Sequence, residues 1–229
     1  MMSVREAVAA RFSCRAFKDD PVDQETVRAL LERAIRAPSG GNVQPWRVLV
    51  VAGAEKDALT QLAQKALFAN PAGEDDEYPI YPPNLQEPWR SRRFKVGEDL
   101  YGALGIPRED KPARLAWLAS NFAFFGAPVG LFFITRRSFG HGQWAHMGML
   151  MQTIALLAAE EGVATCMQEA WAKVRKTLHG HFDLDEDEVV YCGMALGYAD
   201  QGAVVNSWRA DRAPLDDVVD FRGFPEGDQ

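Results

Sequence analysis

The chain has 229 residues, 47% of them hydrophobic and 25% charged, enough apolar content for one sizeable core and too much for a disordered chain. Its formal net charge of −7 has the wrong sign for a general nucleic-acid or anionic-membrane binder, and no apolar run approaches bilayer-spanning length. The N-terminus shows no signal core, and Cys14, Cys166 and Cys192 form no CxxC pair, so a reduced, cytoplasmic setting without disulfides or zinc is expected.

Ser3 with Glu6 fits a capping box that opens a short helix to about Ala10. Residues 11–17 break the helical rhythm and are expected to be extended. Asp23 is expected to cap a second helix, whose Val27, Leu30, Leu31, Ala34 and Ile35 fall on one stripe. Pro38 ends that helix, because the residue before a proline is pushed out of the helical region. A loop at 39–42 leads into a strand, Arg47–Val51, and then a helix over 55–69. Residues 70–88 are rich in proline, glycine and acids, a length of irregular chain that often serves as a lid, and 70–93 is read as one. Helices follow at about 95–104 and 112–125, then an apolar strand, Val129–Thr135. The segment 143–161 is apolar nearly all round, which suits the centre of the molecule or a subunit interface. After Gly162 come a short segment 163–168, a helix near 171–179 and a strand Val189–Leu196. His179 and His181 read as a solvated turn, and the acids of 183–188 as a solvated helix end. The last thirty residues are polar and extended. One α+β domain over 1–229 with a C-terminal arm over 200–229 is expected.

Two constellations suggest chemistry. In an extended Arg11-Phe12-Ser13-Cys14-Arg15, alternate side chains share a face, so Arg11, Ser13 and Arg15 point together, about 6–7 Å apart. Two guanidiniums flanking a hydroxyl suit a long anionic ligand. On its own this pattern also fits a solvated strand edge. The second is Ala37-Pro38-Ser39-Gly40-Gly41-Asn42-Val43-Gln44-Pro45-Trp46. Paired glycines let backbone approach a ligand closely, and Ser39, Asn42 and Gln44 supply hydrogen bonds beside them. An ordinary helix-to-strand turn would not require that whole set together.

Taken with the order of later segments, these motifs resemble the nitroreductase family of flavoproteins. The resemblance continues through the apolar helix 143–161, Gly162 to Gln168, Gly193 to Asp200, and Asn206 with Arg209 to Asp217. Residues 89–95 and 124–130 look nearest to the 4-nitrobenzoate reductase subgroup. The resemblance implies a mixed central sheet wrapped by helices, in a domain-swapped homodimer with an FMN at each interface site. It implies that Arg11, Phe12 and Ser13 hold the FMN phosphate end and that Arg15 reaches the pyrimidine edge of the ring. Pro38, Ser39, Gly40, Asn42 and Gln44 would come from the other subunit, and a backbone N–H of Met167, Gln168 or Glu169 would bond flavin N5. Arg209 or Arg212 would complete the phosphate site, since the chain has Ala210-Asp211-Arg212 where many members have Lys-x-Arg. The implied activity is ping-pong hydride transfer from NADPH or NADH to a nitroaromatic or quinone, with the flavin carrying the chemistry and no catalytic side chain or metal required. Two alternatives stand beside it. One is a reductive dehalogenase like the iodotyrosine deiodinases, whose lid clamp could be sought in Glu87 or Glu98 with Lys95. The other is a flavin-storing protein without turnover.

Overall fold

The computed structural model describes residues 2–75 and 77–224; the end of the expected arm, 225–229, lies outside the described residues. Helix α1, Val4–Ala10, starts at the expected capping box, with Ser3 Oγ accepting from Glu6 N–H (3.3 Å) and Glu6 Oε2 from Ser3 N–H (2.7 Å). Helix α2, Gln24–Ala34, is capped by Asp23, whose Oδ1 accepts from Thr26 N–H at 2.7 Å. It buries Val27, Leu30 and Ala34 but leaves Ile35, the end of the expected stripe, 54% exposed.

Strand β1, Arg47–Ala52, runs straight into α3, Gly53–Ala69, at Gly53, whose positive φ makes the sharp corner. Helix α4, Trp89–Ala103, begins six residues ahead of the expected 95, and α5, Lys111–Ala119, stops well short of 125. Beyond it Phe124 and Phe125 take left-handed conformations in a 3-10 segment, Ser120–Gly126. This turns the Phe124 ring flat onto β2, Val129–Arg136, over Gly130, where a Cβ would sit 2.4 Å from the ring. Helix α6, Gly140–Glu160, leads to β3, Ala164–Gln168. The helix expected near 171–179 is divided into a 3-10 turn, Glu169–Val174, and α7, Arg175–Phe182. Strand β4, Glu188–Gly197, is followed by the arm, which is not wholly extended: it holds a one-turn α8, Val204–Ser207, and a 3-10 turn, Leu215–Asp217.

The sheet order is β1-β2-β4-β3 and every one of these pairs is antiparallel. The expected mixed sheet is thus antiparallel among its four strands; among the described residues the parallel contact is a single bridge from outside them, Ser13 to Thr165 of β3. β2 is buried on both faces, and its alternation divides the core. Val129, Leu131 and Phe133 pack with α2 and with Met147, Leu150 and Ile154 of α6, while Phe132 and Ile134 pack with Leu59 of α3, Trp171 and Leu178. Gly193 of β4 makes room for Trp171, whose Cδ1 would lie 2.3 Å from a Cβ there.

Two surface readings are corrected by long-range pairing. Glu188 is buried and bonds Arg47 of β1 (2.6 Å), which corrects the reading for this residue, whereas Asp183, Asp185 and Glu186 are exposed beyond the end of α7 as expected. His179 and His181 lie on α7 rather than in a turn, bonded to Glu77 (2.9 Å) and Glu55 (2.8 Å).

Candidate functional site

The arginine-bearing segment is pinned at both ends. Arg11 caps α1 through its N–H to Ala7 O (3.0 Å), and Cys14 N–H donates to Thr165 O of β3 (2.9 Å). Further on, Asn206, only 3% exposed, accepts from Arg15 N–H (2.9 Å) and donates through Nδ2 to Ala16 O (2.7 Å) and Asp200 O (2.8 Å). Cys14 is fully buried, so strand alternation turns Ser13 and Arg15 to the other side, where both are half-buried. The predicted common face is present.

Arg209 meets the segment at Phe12, the position that alternates with Ser13 and Arg15. Its guanidinium lies 3.9 Å from the centre of the Phe12 ring, and its Nη1 donates to the carbonyls of Trp208 (2.9 Å) and Asn206. Arg212 instead folds onto its own backbone, donating to Ala210 O and Asp211 O at 2.9 Å each, and is exposed. Of the two alternatives, only Arg209 stands at the stripe. Among the described residues, no carboxylate lies within ion-pair distance of Arg11, Arg15 or Arg209, and Arg15 Nη1 bonds only the Ser13 carbonyl (3.3 Å). In a chain of net charge −7, three guanidiniums without acidic partners on or against one short segment are available to an anion. A cavity of about 150 Å³ opens beside it, lined by Arg11, Phe12, Ala155, Ala159 and Thr165.

The second motif forms an exposed loop folded on itself. Gly41, Asn42 and Gln44 all have positive φ (58°, 54° and 52°). That shape is held by Ser39 Oγ, which accepts from Gln44 N–H (2.9 Å), and by Asn42 N–H donating to Ser39 O (2.9 Å). Pro38, Gly40 and Asn42 are exposed. The loop rests on the first third of α6 at His146, whereas the arginine corner meets α6 at Ala155 and Ala159. At 1.5 Å per residue, the nine to thirteen residues from His146 to Ala155 and Ala159 set the two motifs' contact points on α6 about 14–20 Å apart within one chain.

Within 166–169 the residues divide by direction. Gln168 is buried, and its Nε2 donates to Asn121 O (2.8 Å), so its side chain belongs to the core. Thr165 O faces the Cys14 amide, so by alternation the main-chain groups of Met167 also point away from β4, toward the arginine face. Glu169 is exposed where β3 ends, and desolvation of its carboxyl raises its pKa. Burial pushes the Cys166 thiol up to about 11, against the pull of Arg15 and Arg11, and the Cys14 thiol also to about 11. These thiols are small buried core groups.

The first part of the expected lid is fastened to the body. Glu74 N–H donates to Lys173 O (2.7 Å) and its carboxylate takes Thr177 N–H and Oγ1. The Glu77 side chain is fully buried against Arg137 (2.8 Å), His179 and Arg175 (3.4 Å). Tyr78 bonds Tyr191 O and packs on Trp144, which also contacts Tyr191 and His141. Trp144 thus sits in an aromatic cluster at the foot of the loop. Helix α4 has no buried residue and is tied to the arm by Lys95–Asp211 (2.7 Å) and Arg92–Asp217 (3.5 Å). Sequence reasoning did not single out His146 or Glu77, because a lone histidine and a lone acid carry no pattern. Asn206 stood in the resemblance only as a match, without its bonding role.

The chain thus sets an arginine-bearing segment along β3 and, apart from it, a glycine-rich loop on the first turns of α6, on an α+β scaffold. Residues 8–198 match the family described as the nitroreductase family. A "4-nitrobenzoate reductase" of Pseudomonas putida is 36% identical over 217 residues, covering 95% of this chain and 94% of that one. A "nitrobenzene nitroreductase" of Ectopseudomonas oleovorans is 35% identical, covering 95% and 96%. Among solved structures, an "FMN and NADPH-dependent nitroreductase NfnB" from Sphigopyxis sp. strain HMH superposes with a TM-score of 0.95 at 45% identity, covering 97% of this chain and all of that one. The chain belongs to the nitroreductase family.

Proposed function

We propose that the protein is an FMN-dependent NAD(P)H oxidoreductase that reduces nitroaromatic or quinone-type acceptors. The observation that carries this is the corner of Arg11, Ser13, Arg15 and Arg209, whose guanidiniums meet no carboxylate among the described residues. That donor set fits a phosphate-bearing cofactor: Arg11, Ser13 and Arg209 would hold the phosphate end, with Arg15 at the flavin ring. Bound FMN supplies two-electron hydride chemistry at N5, alternating between NAD(P)H and the acceptor in a ping-pong cycle. Arg15, its backbone held by Asn206, would supply the positive charge that stabilises the anionic reduced ring. The outward amide of Met167 or Glu169 would donate to the ring, and the lid of 70–93 would wall the acceptor space.

The working unit is a homodimer in which the loop of one chain meets the arginine corner of the other, and three features support it. The two motifs meet α6 at points about 14–20 Å apart along its axis in one chain. Strand β1 is a sheet edge beside an apolar groove of about 470 Å³, lined by Val27, Leu31, Ile35 and Val50. The arm leaves Leu215, Val218, Phe221 and Phe224 exposed, apolar groups that a second copy's groove would cover. A cytoplasmic location suits three free, buried cysteines. The deiodinase alternative finds its clamp residues otherwise engaged: Glu87 with Arg90, Glu98 with Arg114, Lys95 with Asp99 and Asp211. Mass spectrometry of the cofactor released from purified protein, with steady-state NADPH oxidation on 4-nitrobenzoate and nitrobenzene, tests the proposal. FMN and acceptor-dependent turnover are expected; FAD, or no flavin after reconstitution, overturns it, and FMN without turnover leaves the storage reading.

A further inference from the structure

We infer that His146 is a positioning residue that sets the conformation of the Ser39–Gln44 loop, by accepting the Gly40 backbone N–H. The inference rests on the reading that this loop contacts FMN. The loop's other hydrogen bonds close on themselves: Asn42 N–H to Ser39 O, Val43 N–H to Gly40 O, Gln44 N–H to Ser39 Oγ and Gln44 Nε2 to Asn42 O. Where it rejoins the sheet, Pro45 O accepts from the buried Thr135 Oγ1 at 2.8 Å. Between Pro38 and Gln44, the bond from Gly40 N–H to His146 Nε2 (3.2 Å) is the only tie to the body among the described residues.

The chemistry of that tie is specific. A backbone N–H can only donate, so Nε2 must offer its lone pair and the ring proton must sit on Nδ1. Nδ1 lies 2.9 Å from Gln143 Oε1, one turn earlier on α6, an acceptor that selects this tautomer. The contact is also steric. A Cβ at residue 40 would come within 3.2 Å of His146 Cε1, so the glycine lets the backbone reach the ring. The tie precedes three residues in the left-handed region, two of them, Asn42 and Gln44, not glycine. A loop held this way presents Ser39 and Asn42 in one arrangement; released, it samples others and binds more weakly.

Three variants separate the acceptor from the bulk of the ring. His146→Phe keeps an aromatic ring without an acceptor, His146→Gln places an oxygen at comparable reach, and Gln143→Leu removes the group that selects the tautomer. One backbone hydrogen bond is worth about two- to tenfold in an equilibrium, so His146→Phe should weaken FMN binding by about that factor. His146→Gln should restore binding to within about twofold of the natural chain, and Gln143→Leu should fall between. Amide hydrogen exchange gives a readout independent of the cofactor: Gly40 N–H should be protected in the natural chain and in His146→Gln, and exposed in His146→Phe. Equal exchange at Gly40 in all three overturns the inference, and so does equal FMN affinity in the phenylalanine and natural chains. Equal weakening by Phe and Gln also overturns it, because packing rather than the acceptor would then be responsible. If His146→Phe does not fold, Gln143→Leu decides by the same two measurements. A natural chain that binds no FMN defeats the functional reading instead, and the exchange result at Gly40 still judges this one.

Discussion

Replacing Asn206 by alanine should damage both stability and flavin binding, and the size of the effect follows from its three bonds. Arg15 N–H donates to Asn206 Oδ1 at 2.9 Å and has no other acceptor among the described residues. Stranding a largely buried donor costs about 1–3 kcal/mol. The two carbonyls served by Nδ2 keep second donors, Ala16 O from Asp200 N–H (3.0 Å) and Asp200 O from Ala203 N–H (3.3 Å). Each of those losses is therefore near the low end of a net hydrogen bond, about 0.5–1 kcal/mol. The expected total for Asn206→Ala is about 2–5 kcal/mol, read by urea unfolding of the apo-protein at fixed protein concentration. Asn206→Asp keeps the acceptor for Arg15 but sets a carboxylate against two carbonyl oxygens, so it should be at least as destabilised as the alanine variant. Because Asn206 fixes the backbone of Arg15, FMN titration of the folded alanine variant should also show weaker binding. An alanine variant within about 0.5 kcal/mol of the natural chain, with unchanged FMN affinity, would refute the reasoning.

Arg15→Ala should slow flavin reduction by NADPH strongly, by about 2–4 kcal/mol of transition-state stabilisation, while Arg11→Ala should weaken FMN binding with near-normal reduction of what stays bound; stopped-flow reduction beside FMN titration distinguishes them, and equal behaviour of the two would reverse the assignment. Mixing inactive Arg15→Ala chains with inactive Asn42→Trp chains should recover activity in heterodimers, because one of the two sites then has an intact arginine corner and an intact loop; no recovery in demonstrated heterodimers would place both motifs' function within one chain. Burial raises Cys14 and Cys166 from about 9 to about 11 and Cys192 to about 12, so folding disfavours the thiolate. Their contribution to stability is complete below pH 9 and lost as pH rises toward 11, and iodoacetamide at pH 9 should label all three only after unfolding, as peptide mapping would show.

Much of this site was legible because it is built from local pattern. The capping box at Ser3 and Glu6, the cap at Asp23 and the alternation of Arg11, Ser13 and Arg15 are decided by residues a few places apart, and the structure keeps them. What escaped depends on distant partners. Phe124 leaves the helical region because its ring covers Gly130, a contact that shortens the expected 112–125 helix. Glu188 looks solvated until Arg47 arrives from another strand to pair with it where it is buried. Asn206 clamps a backbone 191 residues away, and His146 reaches Gly40 across 106. The choice between Arg209 and Arg212 turned on a ring contact with Phe12 that spacing alone does not encode.

The most direct test of the account is anaerobic double-mixing of the purified flavoprotein. NADPH added without an acceptor should bleach the bound flavin by two electrons, and a nitroaromatic added second should restore the oxidised spectrum at a rate that rises with its concentration. A flavin that NADPH cannot bleach, or one that stays reduced when the nitroaromatic arrives, would contradict the proposed function at its centre.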